Sequence, residues 1–403
     1  MGKLRRRNIV VGVCGSIAAY KAAELVRLLV KRGFNVRVAM TPSACKFITP
    51  MTFQALSSNP VMVSLWDEGS GDGIGHIELA DWADAVVVAP ASASTLAKLT
   101  HGVCDNSLLA VILATKAPVL VAPAMNVNMW KNQVTQENIT RLSARGIEVV
   151  SPETGSLACG WTGSGRLAHN QEIFWRIARA TSVRDLEGKR VVITAGPTRE
   201  DIDPVRYLTN RSSGRMGVAL ALDAYRRGAK VVLVAGPLGY TPFIPREIER
   251  LSVISATDMQ QVVLAQFSSA DVLIMAAAVS DFRPSSMAQH KLKKSSGFST
   301  IELAHNDDII ADLGSRRKGA HPFLVAFSVE TNDDVLEQEA GRKLRDKGVD
   351  MLVANSASEA FDKKTNQVLI VSDTAKRRCP NAHKSVIARA ILDEIVNKSV
   401  IGV

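Results

Sequence analysis

Three short stretches in the first half of the chain combine glycine, small residues and hydroxyls as a bound anion requires. Gly12-Val-Cys-Gly-Ser-Ile-Ala-Ala-Tyr-Lys21 leads from an apolar run into a helix-forming one. Backbone N–H groups at such a strand-to-helix junction, with the helix dipole behind them, suit a phosphate. Many α/β turns carry Gly-Ser with no ligand, so this stretch alone says little. Pro90-Ala-Ser-Ala-Ser-Thr95 and Pro123-Ala-Met-Asn126 follow two further apolar runs. Together the three suggest a cofactor lying across a sheet edge. His76, Asn126 and Cys159 are the side chains nearby with acid–base or carboxylate-binding chemistry. His76 is either a base or orienting group, or, as most lone histidines are, structural. Asn126 offers both a donor and an acceptor to a buried carboxylate, or it caps a helix starting near Met129. Cys159 lies among Gly155, Gly160, Gly163 and Gly165. That glycine density reads as a mobile lid with a thiol at its tip. Cys14, Cys45 and Cys104 read as inert core thiols, and Met125 and Met129 as core or ligand contacts.

The second half carries charge in its loops. Thr194 to Gly217 is long, Gly/Ser-rich and ends at a helix start, with Arg211 and Arg215 inside it. It suits an anion at the helix N-terminus. A dinucleotide-binding turn is the alternative, but the spacing lacks GxGxxG in both halves. Lys291, Lys293 and Lys294 form a cluster that is either an anion site or a solvated basic loop. Lys343 and Lys347, one helical turn apart, share a helix face.

The elements that must position these residues are strands alternating with helices, twice over. Asn8–Val13 is a strand stopped by Gly15; Ser16 caps a helix to about Lys31, and Phe34–Met40 is the next strand. Buried strands are expected at Ala85–Ala89, Val119–Ala122 and Ile147–Val150. Helices are expected at Ser92–Leu99, Asp105–Ala114 and Met129–Arg145. A polar reset at Asp185–Lys189 starts the second series. Its strands are Arg190–Ala195, Lys230–Ala235, Asp271–Met275, Phe323–Phe327, Asp350–Ala354 and Gln367–Val371. Its helices are Gly214–Arg227, Asp258–Gln266, Asp333–Lys347 and Ala382–Asn397. Continuous apolar strands between helices imply a parallel sheet covered on both faces. The fold class is therefore α/β: two doubly wound parallel-sheet domains, 1–188 and 189–403.

Length and composition agree. A chain of 403 residues, 46% hydrophobic and 22% charged, is an ordinary globular protein with more than one core. No apolar run approaches the ~20 residues of a bilayer span, and the start lacks a signal-peptide pattern. A cytoplasmic protein is expected, with no membrane partner. Five scattered cysteines without a CxxC pair indicate neither a zinc site nor a disulfide framework. The net charge of +10 fits small anionic substrates or nucleic acid; with only 5% aromatics and dispersed basic residues, small anions are favoured.

"GSIAAYK", "GHIELADWAD", "PAMNVNMW" and "ACGWTGSGRL", in that order, resemble the flavin-binding cysteine decarboxylase family across the first half. The second half, from about Asp185, is similar to the phosphopantothenate–cysteine ligases through the Thr194–Gly217 stretch, "AAAVSDFRP", "KLKK", "NDDII", "AFSVET" and "KLRDKGVD". Ser94, His305 and Asp307 depart from the family patterns. The resemblance implies a flavodoxin-like first domain binding FMN and a Rossmann-like second domain using CTP with Mg2+, in coenzyme A biosynthesis. It implies FMN contacts at Gly15, Ser16, Ile17, Thr41, Ser43, Pro90, Ala91, Ser92, Ser94, Thr95 and Met125. Catalytic roles fall on His76, Asn126, Cys159, Lys291 and Asn210, and substrate contacts on Asn126, Arg206 and Asn210. CTP contacts are implied at Ala276, Ala277, Ala278, Asp281, Lys291, Asp307, Asp308, Ile309, Ile310, Phe327, Lys343 and Lys347. Phe327 packs on cytosine or in the core. The partners implied are 4'-phosphopantothenate, cysteine and CTP. Homo-oligomerisation is implied as well, as a dodecamer if decarboxylase trimers combine with ligase dimers. Two other readings remain: a flavin-binding regulatory subunit without catalysis, and a nicotinamide oxidoreductase.

Overall fold

The computed structural model describes residues 7–66, 75–156, 160–293, 300–330, 335–356 and 363–398. The chain divides into two compact units, Met1–Ser182 and Val183–Val403.

The first unit is built on strands β1 (Asn8–Val13), β2 (Asn35–Met40), β3 (Val61–Met62), β4 (Ala85–Ala91), β5 (Val119–Pro123) and β6 (Glu148–Val149). They form one sheet in the order β3-β2-β1-β4-β5-β6, and every pairing is parallel. Without the two-residue edge strand β3, this is the flavodoxin-like order, with its switch point between β1 and β4. All residues of β1 and β4 are buried. Ile9, Val11, Val13, Ala85, Val87 and Ala89 enter one core; Val10, Val86 and Val88 enter the other, on the opposite face. Period-two alternation between two apolar layers is why these strands read as unbroken apolar runs. Helices α1 (Ala19–Lys31) and α2 (Pro50–Ser57) contribute to the first core. Helices α3 (Gly75–Trp82), α4 (Ala93–His101), α5 (Ser107–Ala114), α6 (Val127–Lys131) and α7 (Gln133–Ala144) follow, and Leu79, Leu96, Leu108 and Leu142 fill the second core.

Two expectations change here. The single helix expected over Met129–Arg145 is two, because the Asn132 side chain accepts the Val134 N–H at 3.0 Å and starts α7 afresh. The glycine-rich segment around residue 160 has ordered arms, a hairpin of β7 (Glu153–Ser156) and β8 (Thr162–Arg166). Helix α8 (Asn170–Ala180) closes the unit.

The second unit has an eight-stranded sheet. Its strands are β9 (Arg190–Ala195), β12 (Lys230–Ala235), β13 (Glu249–Ser252), β14 (Val272–Met275), β17 (Phe323–Glu330), β18 (Met351–Ser356), β19 (Thr365–Ser372) and β20 (Lys376–His383). The order is β13-β12-β9-β14-β17-β18-β19-β20. The first six are parallel in the Rossmann-like 3-2-1-4-5-6 order, and β19 and β20 extend the sheet antiparallel. No element is expected over Lys376–Asn381, and Ala382 and His383, expected to open the last helix, instead end β20; Cys379 is the strand's buried residue. Two small hairpins, β10 (Arg199–Asp201) with β11 (Tyr207–Thr209) and β15 (Phe282–Pro284) with β16 (Leu303–His305), were also not expected. The helices are α9 (Arg215–Arg226), α10 (Ala256–Phe267), α11 (Ile309–Arg316), α12 (Leu336–Asp346) and α13 (Lys384–Lys398).

The expected boundary at residue 188 falls inside the second unit. Leu186 is fully buried and its N–H bonds the Arg227 carbonyl. Arg227, 8% exposed at its side chain, joins Asp185 at 2.8 Å to Asp393 at 2.6 Å, tying residues 183–188 to α9 and α13. Residues 1–182 and 183–403, expressed separately, are therefore expected each to give one cooperative urea transition. A C-terminal fragment starting at 189 is expected to be less stable by about 1.5–3 kcal/mol, because it loses the charged hydrogen bonds from Arg227 to Asp185 and keeps only Asp393 as the guanidinium's partner. Equal stability of the 183 and 189 fragments would overturn the boundary.

Candidate active sites

In both units the loops that matter leave the carboxyl ends of parallel strands next to the switch point. In the second unit these ends frame a cavity of about 550 Å³. Its wall brings together Asn210, Ala276, Ala277, Ala278, Asp281, Asp307, Asp308, Ile309, Ile310, Phe327, Lys343 and Lys347. At roughly 4.8 Å per strand, the ends of β9, β14, β17 and β18 span about 14 Å. Helix α9 opens at the cavity with Gly214 left-handed at its N-cap (φ 75°) and Ser212 and Ser213 before it. Helix α11 also opens there, its N-cap Asp308 accepting the Ala311 N–H at 3.2 Å. Two helix N-termini thus direct unsatisfied N–H groups at one space.

Two lysines of the cavity are already paired with carboxylates. Lys343 bonds Glu330 and, at 3.2 Å, Ser328 Oγ. Lys347 lies 2.9 Å from Asp308. Burial pushes the Glu330 carboxyl up, but Lys343 and Ser328 outweigh it and hold the net value below the usual range. The Arg215 guanidinium lies 4.2 Å from the centre of the Tyr240 ring. Phe327 is half-buried and lines the cavity. Asn210 Nδ2 donates to the Val279 carbonyl at 2.8 Å, which fixes the side chain against the Ala276–Asp281 loop.

Two residues expected at the site stand elsewhere. Lys291 is exposed and does not line the cavity. Arg206, expected to meet an acidic substrate group, instead grips Asp203 through Nε (2.9 Å) and Nη2. The cavity also takes in Asn306, Ser328, Asn355, Asn366 and Lys384, which the sequence reading did not single out. Asn355 and Asn366 flank the junction of β18 and β19, and no motif in the sequence marks it.

In the first unit, Gly15, Ser16 and Ile17 follow β1, Thr41 and Ser43 follow β2, Pro90 and Ala91 end β4, and Met125 and Asn126 follow β5. The loops are stitched together: Cys14 N–H bonds the Pro90 carbonyl at 3.2 Å, and Ala124 N–H the Ala91 carbonyl at 3.0 Å. Gly15 abuts Ser43 so closely that a Cβ there would sit 2.6 Å from the Ser43 Cβ. Ser92 caps α4, accepting the Thr95 N–H at 3.3 Å, with the two hydroxyls 3.1 Å apart. Ser94 is exposed on that helix. Ile17 (62% exposed) and Tyr20 (57%) present apolar surface beside this polar edge. Ser16 bonds the Ala18 N–H at 3.2 Å, so α1 starts two residues later than expected. His76 sits in the first turn of α3; its Nδ1 is buried without a hydrogen-bond partner among the described residues. Asn126 Oδ1 accepts the Asn128 N–H at 2.8 Å and caps α6, which starts at Val127, two residues before the helix start expected at Met129. Cys159 and Lys294 lie outside the described residues.

Comparison with known proteins bears on both edges. A family described as Flavoprotein matches residues 1–182, and the DNA/pantothenate metabolism flavoprotein C-terminal domain matches residues 186–398. The Coenzyme A biosynthesis bifunctional protein CoaBC of Haemophilus influenzae is 43% identical over 98% of this chain and 98% of its own. That of Bacillus subtilis is 43% identical over 97% of both. The chain belongs to this family of bifunctional coenzyme A biosynthesis flavoproteins. A solved structure of the C-terminal domain of a Coenzyme A biosynthesis bifunctional protein CoaBC covers 53% of this chain and 97% of that chain at 38% identity and TM-score 0.45.

For a flavoprotein of this family, the hairpin β7–β8 has a definite place. The Met125 N–H donates to the Gly165 carbonyl at 2.9 Å, so the hairpin docks on the loop that carries Asn126. Gly165 has φ 140°, and a Cβ there would lie 2.3 Å from the Met125 carbonyl oxygen. The glycine expected to confer mobility thus permits close docking. Gly165→Ala is expected to undock the hairpin while leaving the sheet intact. Limited proteolysis should then cut within residues 153–166 at least several-fold faster than in the parent protein, with the far-ultraviolet spectrum unchanged. Parent-like resistance would overturn this docking role.

Proposed function

We propose that the C-terminal unit ligates 4'-phosphopantothenate to cysteine with CTP, through an acyl-cytidylate. The N-terminal unit, carrying FMN, then decarboxylates 4'-phosphopantothenoylcysteine to 4'-phosphopantetheine. The observation that carries the ligase reading is the cavity at the β9/β14 switch point. It joins two helix N-termini, two lysines on one helix face and a half-buried phenylalanine.

The wall suits each part of a nucleotide. Ala276, Ala277 and Ala278 have no side chain beyond Cβ, so a sugar or base approaches their backbone closely. Phe327 offers a ring face to the cytosine. The N-termini of α9 and α11 take phosphate oxygens, and Lys343 and Lys347 neutralise them. The Lys347–Asp308 pair is half-exposed and worth only about 0–1 kcal/mol, so a polyphosphate displaces that carboxylate at small cost. Asp281, Asp307 and Asp308 supply oxygen ligands for Mg2+, which typically takes one or two carboxylates together with substrate phosphates. Asn210, fixed by Val279, is placed to orient the acyl carbonyl. Lys291 adds positive charge as the pyrophosphate departs.

The first unit has the donors a flavin phosphate and polyol need: hydroxyls at Ser16, Ser43, Ser92 and Ser94, and N–H groups at the starts of α1 and α4. Bound FMN supplies reversible hydride acceptance, which neither unit's side chains provide. His76 orients the substrate, Asn126 holds its carboxylate, and Cys159 gives the final proton. The absence of GxGxxG disfavours a nicotinamide enzyme, and His76, Asn126 and Cys159 together disfavour a regulatory subunit. Among the described residues no helix is long and apolar enough to cross a membrane, in keeping with a cytoplasmic enzyme.

The purified protein should be yellow with an FMN spectrum and should consume CTP in a cysteine-dependent way, releasing CO2. Lys291→Gln should lower pyrophosphate release from 4'-phosphopantothenate and CTP, with cysteine omitted, by about 10²–10³-fold. Decarboxylation of supplied 4'-phosphopantothenoylcysteine should be unchanged. Parent-like pyrophosphate release would reject the role of Lys291, and a colourless protein without CTP consumption would reject the whole reading.

A further inference from the structure

Asp203 is an ionisable side chain that the chemistry above leaves unused, and it is one of the most deeply buried. Its side chain is 0% exposed, in a loop whose neighbours Pro204, Val205 and Arg206 are exposed. Oδ1 accepts the N–H groups of Val205 (2.8 Å) and Arg206 (2.9 Å). Oδ2 accepts Nε and Nη2 of Arg206 and the N–H of Leu292 at 3.2 Å. The second partner of Arg206 Nη2 is the Leu292 carbonyl, at 2.9 Å. Both polar groups of Leu292 are therefore held by the two ends of one ion pair. The turn adds a third attachment, since the Ala288 N–H bonds the Ile202 carbonyl at 3.0 Å.

This arrangement is local at one end and long-range at the other. Residues 202–206 link β10 to β11, and the Arg206 carbonyl closes the turn by accepting the N–H groups of Ile202 and Asp203. The residues held, Ala288 and Leu292, lie more than eighty positions later, on a stretch that forms no helix or strand. Lys291 sits between them, next to the doubly bonded Leu292. An exposed lysine has a flexible four-carbon stem, so its direction is set by the backbone from which it starts.

We infer that Asp203, acting through Arg206, is a positioning residue that fixes the backbone beside Lys291 and so aims its ammonium group for nucleotide activation. The inference rests on the ligase reading of Lys291 given above. Asp203 contacts no substrate in this role. A plain structural carboxylate would stabilise the turn alone; this one accepts one of its five hydrogen bonds from Leu292 on a remote segment, and its charged partner Arg206 donates another to the same residue.

The pair has a specific vulnerability. In Asp203→Asn the amide keeps one acceptor for the Val205 and Arg206 N–H groups but turns an NH2 donor toward the guanidinium and the Leu292 N–H. Donor faces donor, and the grip on Leu292 is lost while the turn is retained. In Arg206→Lys the charge remains, but one ammonium cannot reproduce the fork that meets Asp203 and the Leu292 carbonyl together.

The test uses the full-length protein and measures pyrophosphate release from 4'-phosphopantothenate and CTP without cysteine. Asp203→Asn, Arg206→Lys, Lys291→Gln and the doubles Asp203→Asn/Lys291→Gln and Arg206→Lys/Lys291→Gln are compared, with kcat and the KM for CTP separated. Misplacing a catalytic group by roughly 1 Å costs about 10²-fold, so each positioning variant should lose about that factor in kcat. KM should change by less than about threefold, the span of an interaction of a few tenths of a kcal/mol. In the Lys291→Gln background neither change should lower the rate further, because the group being aimed is gone. A parent-like kcat for a folded Asp203→Asn or Arg206→Lys protein would overturn the inference. So would multiplicative losses in the doubles, which are the mark of a general structural role. If Asp203→Asn does not fold, Arg206→Lys and its double decide the matter. If Lys291→Gln itself is parent-like, the ligase reading of Lys291 fails, and the positioning role falls with it; that outcome is distinct from a parent-like Asp203→Asn beside a crippled Lys291→Gln.

Discussion

A parallel sheet covered on both faces leaves its backbone ends as the open polar surface, and both units are organised around that constraint. Every residue of β1 and β4 is buried, and so are five of the six in β9. No ligand can enter through the faces of such a layer. At the carboxyl edge, however, the strands hand over to loops and helix N-termini, whose first N–H groups have no partner within the helix. Where the order of strands reverses, at β1/β4 and at β9/β14, neighbouring loops turn to opposite faces and leave a crevice. The cavity of the second unit lies at such a reversal, and the hydroxyl-bearing loops of the first unit lie at the other.

Within that frame, magnitudes separate the charged groups that build the fold from those available to a ligand. Arg227, with an 8% exposed side chain, bridges two aspartates from the start and end of its unit; only removal of both leaves its buried charge without a partner, at a cost of about 3–5 kcal/mol. Asp203, fully buried beside a partly exposed Arg206, also builds the fold. The Arg206 guanidinium first, and three backbone N–H groups with it, outweigh burial and hold its carboxyl well below the usual carboxylate range. The Lys347 pair of the cavity differs. Lys347 and Asp308 keep 26% and 50% exposure, and such a pair contributes about 0–1 kcal/mol. Asp308 holds Lys347 in place without binding it strongly. Exchange for a more highly charged polyanion is then favourable.

The same physics decides what was legible in the sequence. Buried parallel strands appear as apolar runs whichever face each residue serves, so Asn8–Val13, Ala85–Ala89, Arg190–Ala195 and Asp271–Met275 stand out in the sequence, and with them the loops at their ends. Strand β20, Lys-Arg-Arg-Cys-Pro-Asn-Ala-His, carries no such signal: it is an edge strand, largely exposed, and its order comes from pairing with β19. The hairpin β7–β8 was hidden because glycine serves close approach as well as mobility, and composition does not distinguish the two. Arg206 was read as an anion ligand because its charge is visible in the sequence while its engagement is not. Asp203, three residues away, takes the guanidinium only because a tight turn brings them together. Asn355 and Asn366 reach the cavity through the pairing of β18 with β19, an antiparallel extension that no spacing announces.

The two sites share an edge and differ in what their loops carry, and the difference follows the chemistry. The loops of the first unit, at Gly15–Ile17, Thr41–Ser43, Pro90–Thr95 and Met125–Asn126, contain no charged side chain. They offer hydroxyls, N–H groups and exposed apolar surface at Ile17 and Tyr20. A bound redox ring needs orientation and an environment of matched polarity, since the cofactor itself carries the electrons. The wall of the second unit brings Arg211, Arg215, Lys343 and Lys347 together with Asp281, Asp307 and Asp308. Activating a carboxylate with a nucleoside triphosphate moves negative charge onto a departing pyrophosphate, so the protein itself must supply the opposing charge at fixed positions. Fixed position is hardest to secure for a lysine on an exposed loop. That is the place inferred for Asp203: the buried carboxylate, with the partly exposed Arg206, ties the backbone beside Lys291 through both polar groups of Leu292.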